Sequence, residues 1–218
     1  MYKYILFDLD GTLTDPKEGI TKSVQYALKH MGIEEPDLDN LTRFIGPPLT
    51  ESFKVFYGIE GARMEEAIAK FRERFSTKGI FENGVYDGIH ELLAALKKEG
   101  KTLAVATSKP WVFAERILEK YELRQYFDVV VGSELDEKTR SSKTEVIEEV
   151  LRRLKLDDKD LQSVIMVGDR KHDIIGANNF NLHSVGVKFG YAEPGELEEA
   201  GVTYIVYDVA GLKKLLCQ

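Results

Sequence analysis

The chain has 218 residues and a mass of 24.7 kDa, enough for an α/β domain with an insertion or for two small lobes, and too little for a large multidomain assembly. With 43% hydrophobic residues, 31% charged residues and 6 prolines it is neither disordered nor collagen-like, and its net charge of −7 is the wrong sign for general attraction to nucleic-acid phosphates or anionic lipid. The one cysteine, Cys217, fits a reducing compartment, and no apolar run reaches the length of a membrane span, so a cytoplasmic protein is expected.

Residues 3–8 (KYILFD) form an apolar run ending in an acidic turn and predict a buried strand. From there to about Lys78 the pattern is helical, with Ile20, Val24, Ala27, Leu28 and Met31 at one spacing and Met64, Ala67, Ile68, Phe71 and Phe75 at another. Gly46-Pro47-Pro48 forces a break between them. After Asn83-Gly84 a helix around Ile89, Leu92, Leu93 and Leu96 leads to the strand TLAVATS. Further strands follow as FDVVVG at 127–132, SVIMVG at 163–168, HSVGV at 183–187 and TYIV at 203–206, separated by helices starting near Pro110, Ser142, Asp173 and Gly195. This alternation predicts an α/β fold with a doubly wound, Rossmann-like parallel sheet covered on both faces. Residues 15–82 contain no predicted strand and read as a helical lid inserted into a core of residues 1–14 and 83–218. Its connections, Thr14-Asp15-Pro16 and Phe81-Glu82-Asn83-Gly84, hold the Pro and Gly that suit hinges.

Ligands of open parallel sheets bind beyond the carboxyl ends of the strands. There this sequence places Asp8-Leu9-Asp10-Gly11-Thr12, then Thr107-Ser108-Lys109, then Gly168-Asp169 with Asp173 four positions on, while Lys143 opens the helix before SVIMVG. On extended backbone Asp8 and Asp10 point the same way, and two carboxylates that close call for a cation; Asp169 adds a third. Oxygen ligands without a His or Cys cluster favour Mg²⁺, and a metal flanked by Lys143 and hydroxyl and amide donors suits a phosphoryl group. Each piece alone has a plainer reading: a turn at Asp10-Gly11, a helix cap at Asp169 or Thr107, a surface lysine at Lys143. Their coincidence on one rim is what a single site explains.

These residues resemble the four motifs of the haloacid dehalogenase superfamily, in the right order and across the whole α/β core: Asp8-Leu9-Asp10-Gly11-Thr12-Leu13, Thr107, Lys143 and Gly168-Asp169-x-x-x-Asp173. The helical insertion is similar to the small cap of the phosphoglycolate phosphatase-like branch. Gly46-Pro47-Pro48-Leu49, Thr139-Arg140-Ser141-Ser142-Lys143 and the segment 167–173 also resemble bacterial phosphoglycolate phosphatases or 5′-nucleotidases. The resemblance implies a Mg²⁺-dependent phosphatase. Asp8 would be the nucleophile and a metal ligand, Asp10 the general acid and base and, through its carbonyl, a further ligand. Asp169 would complete the protein ligands, Asp173 would hold a metal-bound water or orient Lys143, and Thr107, Ser108 and Lys143 would bind the phosphoryl oxygens. It also implies that the cap closes over the site and supplies leaving-group contacts, for which Thr14, Asp15, Arg43, Gly46 and Pro47 are the candidates. The expected partner is a small phosphorylated metabolite, with no nucleic-acid polymer or membrane, and the chain is expected to be a monomer or weak homo-oligomer. A sugar phosphomutase or a pyrophosphatase could use the same core. A phospho-acceptor signalling domain fits less well, since FDVVVG ends without an Asp and the lid has no place in one, and the intact set of Asp8, Asp10, Lys143 and Asp169 argues against a noncatalytic regulatory domain.

Overall fold

The computed structural model describes residues 2–136 and 138–217. The chain divides into two compact units, Met1–Thr14 with Val85–Gln218, and Asp15–Gly84. The first strand, β1 (Tyr4–Phe7), belongs to the larger unit, and the segments that link the units, β2 (Thr14–Asp15) and β3 (Gly84–Val85), pair as a two-stranded sheet. The helical reading of the insertion had no place for this short pairing.

The smaller unit consists of α1 (Lys17–His30), a 3-10 turn at Leu38–Phe44, α2 (Leu49–Tyr57) and α3 (Ala62–Phe75). Its apolar spacing is realised as packing of α1 on α3, with Ile20, Val24, Ala27 and Leu28 buried on one helix and Ala67, Ile68, Phe71 and Phe75 on the other. The segment LDNLTRF stays a 3-10 turn because Asp37 caps it, accepting from the amide of Asp39 at 2.9 Å, and its Asp and Asn compete with a longer helix. Pro48 precedes α2, and Gly58 ends it in the left-handed conformation at φ 62°.

The larger unit continues with α4 (Ile89–Lys98), β4 (Thr102–Pro110), α5 (Trp111–Lys120), β5 (Val129–Ser133), α6 (Lys143–Arg153), β6 (Val164–Gly168), α7 (Lys171–Asn178), β7 (His183–Val187), α8 (Glu196–Glu199), β8 (Tyr204–Val206) and α9 (Val209–Leu216). Six strands form one parallel sheet in the order β5-β4-β1-β6-β7-β8. β1 lies inside it, and Ile5, Leu6 and Phe7 are all fully buried, which is why its residues run apolar instead of alternating. On one face Leu6, Ala104, Val131 and Met166 join Val146, Ile147 and Val150 of α6 in a core cluster. Two elements differ from the sequence reading. Helix α7 starts at Lys171, so Asp173 sits inside its first turn, where it accepts from the amide of Arg170 at 3.1 Å. A final helix, α9, is capped by Asp208, which accepts from the amide of Gly211 at 2.7 Å. Among the described residues no helix is long and apolar enough to cross a membrane.

Candidate active site

Three neighbouring strands, β4, β1 and β6, end at the same rim of the sheet. Asp8 follows β1 directly, its amide donating to the carbonyl of Val167 at 2.9 Å, and Asp169 follows β6. The end of β4 is irregular: Ala106 pairs with Val131 and Pro110 with Ser133, so four residues of β4 run alongside two of β5. Such a bulge re-aims side chains, and this one carries Thr107, Ser108 and Lys109. It rests on Gly132, where a Cβ would lie 2.3 Å from the carbonyl oxygen of Lys109. The Ser133 hydroxyl donates to the carbonyl of Ser108 at 2.9 Å, and the amide of Lys109 donates to Thr107 Oγ1 at 3.2 Å.

Asp8, Asp169 and Asp173 bring carboxylate oxygens within 4.8 Å of one another, and all three residues are buried. Lys143, also buried, places its Nζ 2.9 Å from Asp8 Oδ1 and 2.7 Å from Asp173 Oδ1 and donates to the carbonyl of Ala106 at 2.9 Å. Burial raises the Asp169 carboxyl well above the usual range, with Asp173 and Asp8 pushing the same way. Burial likewise pushes Asp173 up to about 6 against the pull of Lys143. Burial works against the charge of Lys143, but Asp173 and Asp8 outweigh it and hold the ammonium above its ordinary value. With all three ionised, three carboxylates against one ammonium leave an excess of two negative charges, which a hard divalent cation with oxygen ligands would balance. The donor set fits such a cation on chemistry and charge.

Asp10 stands outside this trio. Its Oδ2 lies 2.7 Å from Nζ of Lys109, both side chains are less than a tenth exposed, and its Oδ1 is buried without a donor. Burial raises the Asp10 carboxyl and Lys109 draws it back. The expectation that Asp8 and Asp10 share one cation through parallel side chains is corrected here. β1 ends at Phe7, and the chain then turns so tightly that Thr12, Leu13 and Thr14 all donate to the carbonyl of Leu9, ending the period of two before Asp10.

Other neighbours escaped the sequence reading. The amide of Tyr191 donates to Asp169 Oδ2 at 2.8 Å, and the Thr12 hydroxyl reaches Asp169 Oδ1 at 3.4 Å. Asp169 is wedged between two glycines: a Cβ on Gly11 would lie 2.1 Å from its Oδ2, and one on Gly190 2.3 Å from its Cβ. The segment 189–191 follows β7 on the same rim, which was the available signal. Arg170 Nε meets Glu196 Oε1 at 2.9 Å, and that carboxylate also accepts from the amide of Lys171 at 2.8 Å. Residues so far apart in sequence carry no local sign of this clamp.

Of the cap candidates, Thr14 is buried at the end of the first segment of the larger unit, and Asp15 opens the smaller one, accepting from the amide of Lys17 at 3.0 Å. Within the smaller unit the guanidinium of Arg43 lies 4.2 Å from the Phe56 ring centroid and 5.6 Å from that of Tyr57, its Nε buried without an acceptor. Gly46 has φ 103°, which suits glycine, and Pro47 and Pro48 lead from it into α2.

Comparison with known proteins follows the same lines. The sequence matches the haloacid dehalogenase-like hydrolase family over residues 5–187. It is 48% identical to a 5′-nucleotidase of Pseudomonas aeruginosa, covering 99% of this chain and 96% of that one. It is 38% identical to the tyrosine-protein kinase PtkA of Mycobacterium tuberculosis, covering 93% of this chain and 68% of the other. A crystal structure of a predicted phosphatase from Clostridium acetobutylicum superposes with a TM-score of 0.94 at 49% identity, covering 99% of this chain and 98% of that one.

Proposed function

The chain belongs to the haloacid dehalogenase-like hydrolase family, and we propose that it is a Mg²⁺-dependent phosphatase of small phosphomonoesters, of the phosphoglycolate or nucleoside 5′-monophosphate kind. The observation that carries this reading is the buried trio of Asp8, Asp169 and Asp173 beside the ammonium of Lys143. Asp8, Asp169, Asp173 and the carbonyl of Asp10 would hold the cation, which supplies Lewis-acid charge to the phosphoryl oxygens.

In the first half-reaction an oxygen of Asp8 bonds to phosphorus as the bond to the leaving oxygen breaks, giving an aspartyl-phosphate. Protonated Asp10 gives its proton to that leaving oxygen. In the second half-reaction Asp10, now a carboxylate, takes a proton from water; the water oxygen bonds to phosphorus and Asp8 is released. Lys143, the Thr107 hydroxyl and the amide of Ser108 hydrogen-bond the phosphoryl oxygens, where charge develops. The cytoplasm is the assigned compartment, supported by the single cysteine.

The test is phosphate release from a panel of phosphoglycolate, nucleoside monophosphates, sugar phosphates and pyrophosphate, with Mg²⁺ and with a chelator. Mg²⁺-dependent release is expected, led by one monoester with about a tenfold margin in kcat/KM, equivalent to about 1.4 kcal/mol. Preference for pyrophosphate, or conversion of one sugar phosphate into another, would move the assignment to the corresponding rival. No metal-dependent turnover on any of them overturns it.

A further inference from the structure

We propose that Lys109 is a positioning residue for the general acid: it grips one oxygen of Asp10 so that the other faces the leaving group, which suits this chain to phosphate esters of unactivated alcohols. The inference rests on the reading of the site as a phosphatase and adds to it a residue and a class of leaving group.

The two oxygens of a carboxylate are equivalent, and rotation about Cβ–Cγ exchanges them. At Asp10 that equivalence is broken. Oδ2 is 2.7 Å from the ammonium of Lys109, while Oδ1 is buried and accepts no hydrogen bond. A buried acceptor without a donor is costly and rare unless a ligand supplies the partner. A leaving oxygen, and later a water, would be that partner. Lys109 can donate to Oδ2 in both states of the acid, to a carboxylate oxygen when Asp10 is ionised and to the carbonyl oxygen when the proton sits on Oδ1.

Lys109 is itself well anchored. It sits on the bulge that also carries Thr107 and Ser108, its amide donates to Thr107 Oγ1, and its carbonyl is pressed against Gly132. Pro110 follows and restricts its backbone. Residues 107–109 therefore fix both ends of the reaction, with Thr107 and Ser108 toward the phosphoryl group and Lys109 toward the acid. The second lysine of the site is committed elsewhere, Lys143 lying on Asp8 and Asp173. The two ammonium groups thus serve separate carboxylates.

The step served is the transfer of the Asp10 proton to the leaving oxygen while its bond to phosphorus breaks and Asp8 bonds to phosphorus. An alkoxide is a strong base and needs that proton, whereas a nitrophenolate leaves without it. Orientation of the acid therefore matters for alkyl esters and little for activated aryl esters.

The experiment compares kcat/KM for glycerol phosphate and p-nitrophenyl phosphate in the wild type, Lys109→Met, Lys109→Arg, Lys109→Gln and Asp10→Asn. We expect Lys109→Met to lose about 100-fold or more on the alkyl ester, mainly in kcat, and about tenfold or less on the aryl ester, the range set by general acid catalysis. Lys109→Arg should restore part of the difference. Lys109→Met combined with Asp10→Asn should lose little more than Asp10→Asn alone, because the two act as a unit. Equal losses on both esters, or additive losses in the double variant, overturn the proposal. If circular dichroism shows Lys109→Met unfolded, the same ratio in Lys109→Gln decides the matter. A wild type inactive on both esters refutes the phosphatase reading itself, a result distinct from failure of the positioning role.

Discussion

Replacing Lys143 with methionine isolates the charge at the centre of the site, because methionine keeps a flexible stem of similar length. That stem matters: a Cβ on Gly176 would lie 3.0 Å from Lys143 Cγ, so the chain already packs closely there. The ammonium is within 3 Å of two carboxylates, and all three side chains are 5% exposed or less. Removing one partner of a buried pair typically costs about 3–5 kcal/mol, and here one removal strands two carboxylates. A loss of about 4 kcal/mol without divalent cation is expected, a large share of the roughly 5–15 kcal/mol that holds a protein folded. Trp111 is the only tryptophan and lies in the larger unit, so its fluorescence during urea unfolding reads the unit that contains the site. A cation bound to the native trio adds stability as RT ln(1 + [L]/Kd), about 2.7 kcal/mol at one hundred times Kd. At equal Mg²⁺ concentration the gain should be larger in Lys143→Met than in wild type, because the ammonium no longer competes for the carboxylates. A loss below about 1 kcal/mol, or a Mg²⁺ gain no larger than that of wild type, would refute this account of the electrostatics.

Two glycines give sharper steric tests. Gly190→Ala would put a Cβ 2.3 Å from Asp169 Cβ and 2.4 Å from the carbonyl oxygen of Gly11, so Asp169 must move; a Mg²⁺ titration followed by thermal stability should show affinity reduced about tenfold or more, as disturbance of supporting groups does, and unchanged affinity refutes the wedge. In the smaller unit, Gly19→Ala would put a Cβ 2.0 Å from the carbonyl oxygen of Gly79 and 2.8 Å from that of Glu82. Because backbone atoms cannot swing aside, a loss of about 3 kcal/mol is expected, seen as faster hydrogen exchange in α1 and α3, and undiminished protection there would contradict it.

Much of the larger unit was legible because its signals are local. Apolar runs such as SVIMVG mark strands buried on both faces, and each carries its chemistry at its carboxyl end, so Asp8, Thr107 and Asp169 could be placed on one rim from the alternation alone. Lys143 was legible through its position at the start of α6, where Ser142 forms a capping box with Glu145. The illegible parts depend on departures from regular geometry or on distant partners. The spacing of Asp8 and Asp10 suggested one shared cation, but the turn after Phe7 sends Asp10 to Lys109. The bulge that brings Lys109 there follows from a register shift between β4 and β5, which no single strand encodes. The clamp from Arg170 to Glu196 joins elements separated by a whole strand. Helix α7 began earlier than expected because Asp173 caps from within its first turn.

Whether Asp8 carries the phosphoryl group is read by acid quenching during turnover of a phosphomonoester, followed by mass spectrometry of the peptide that contains Asp8. A phosphoryl adduct on Asp8 is expected that requires Mg²⁺ and disappears, together with turnover, in Asp8→Asn. Full turnover by Asp8→Asn, or an adduct on another residue, would contradict it.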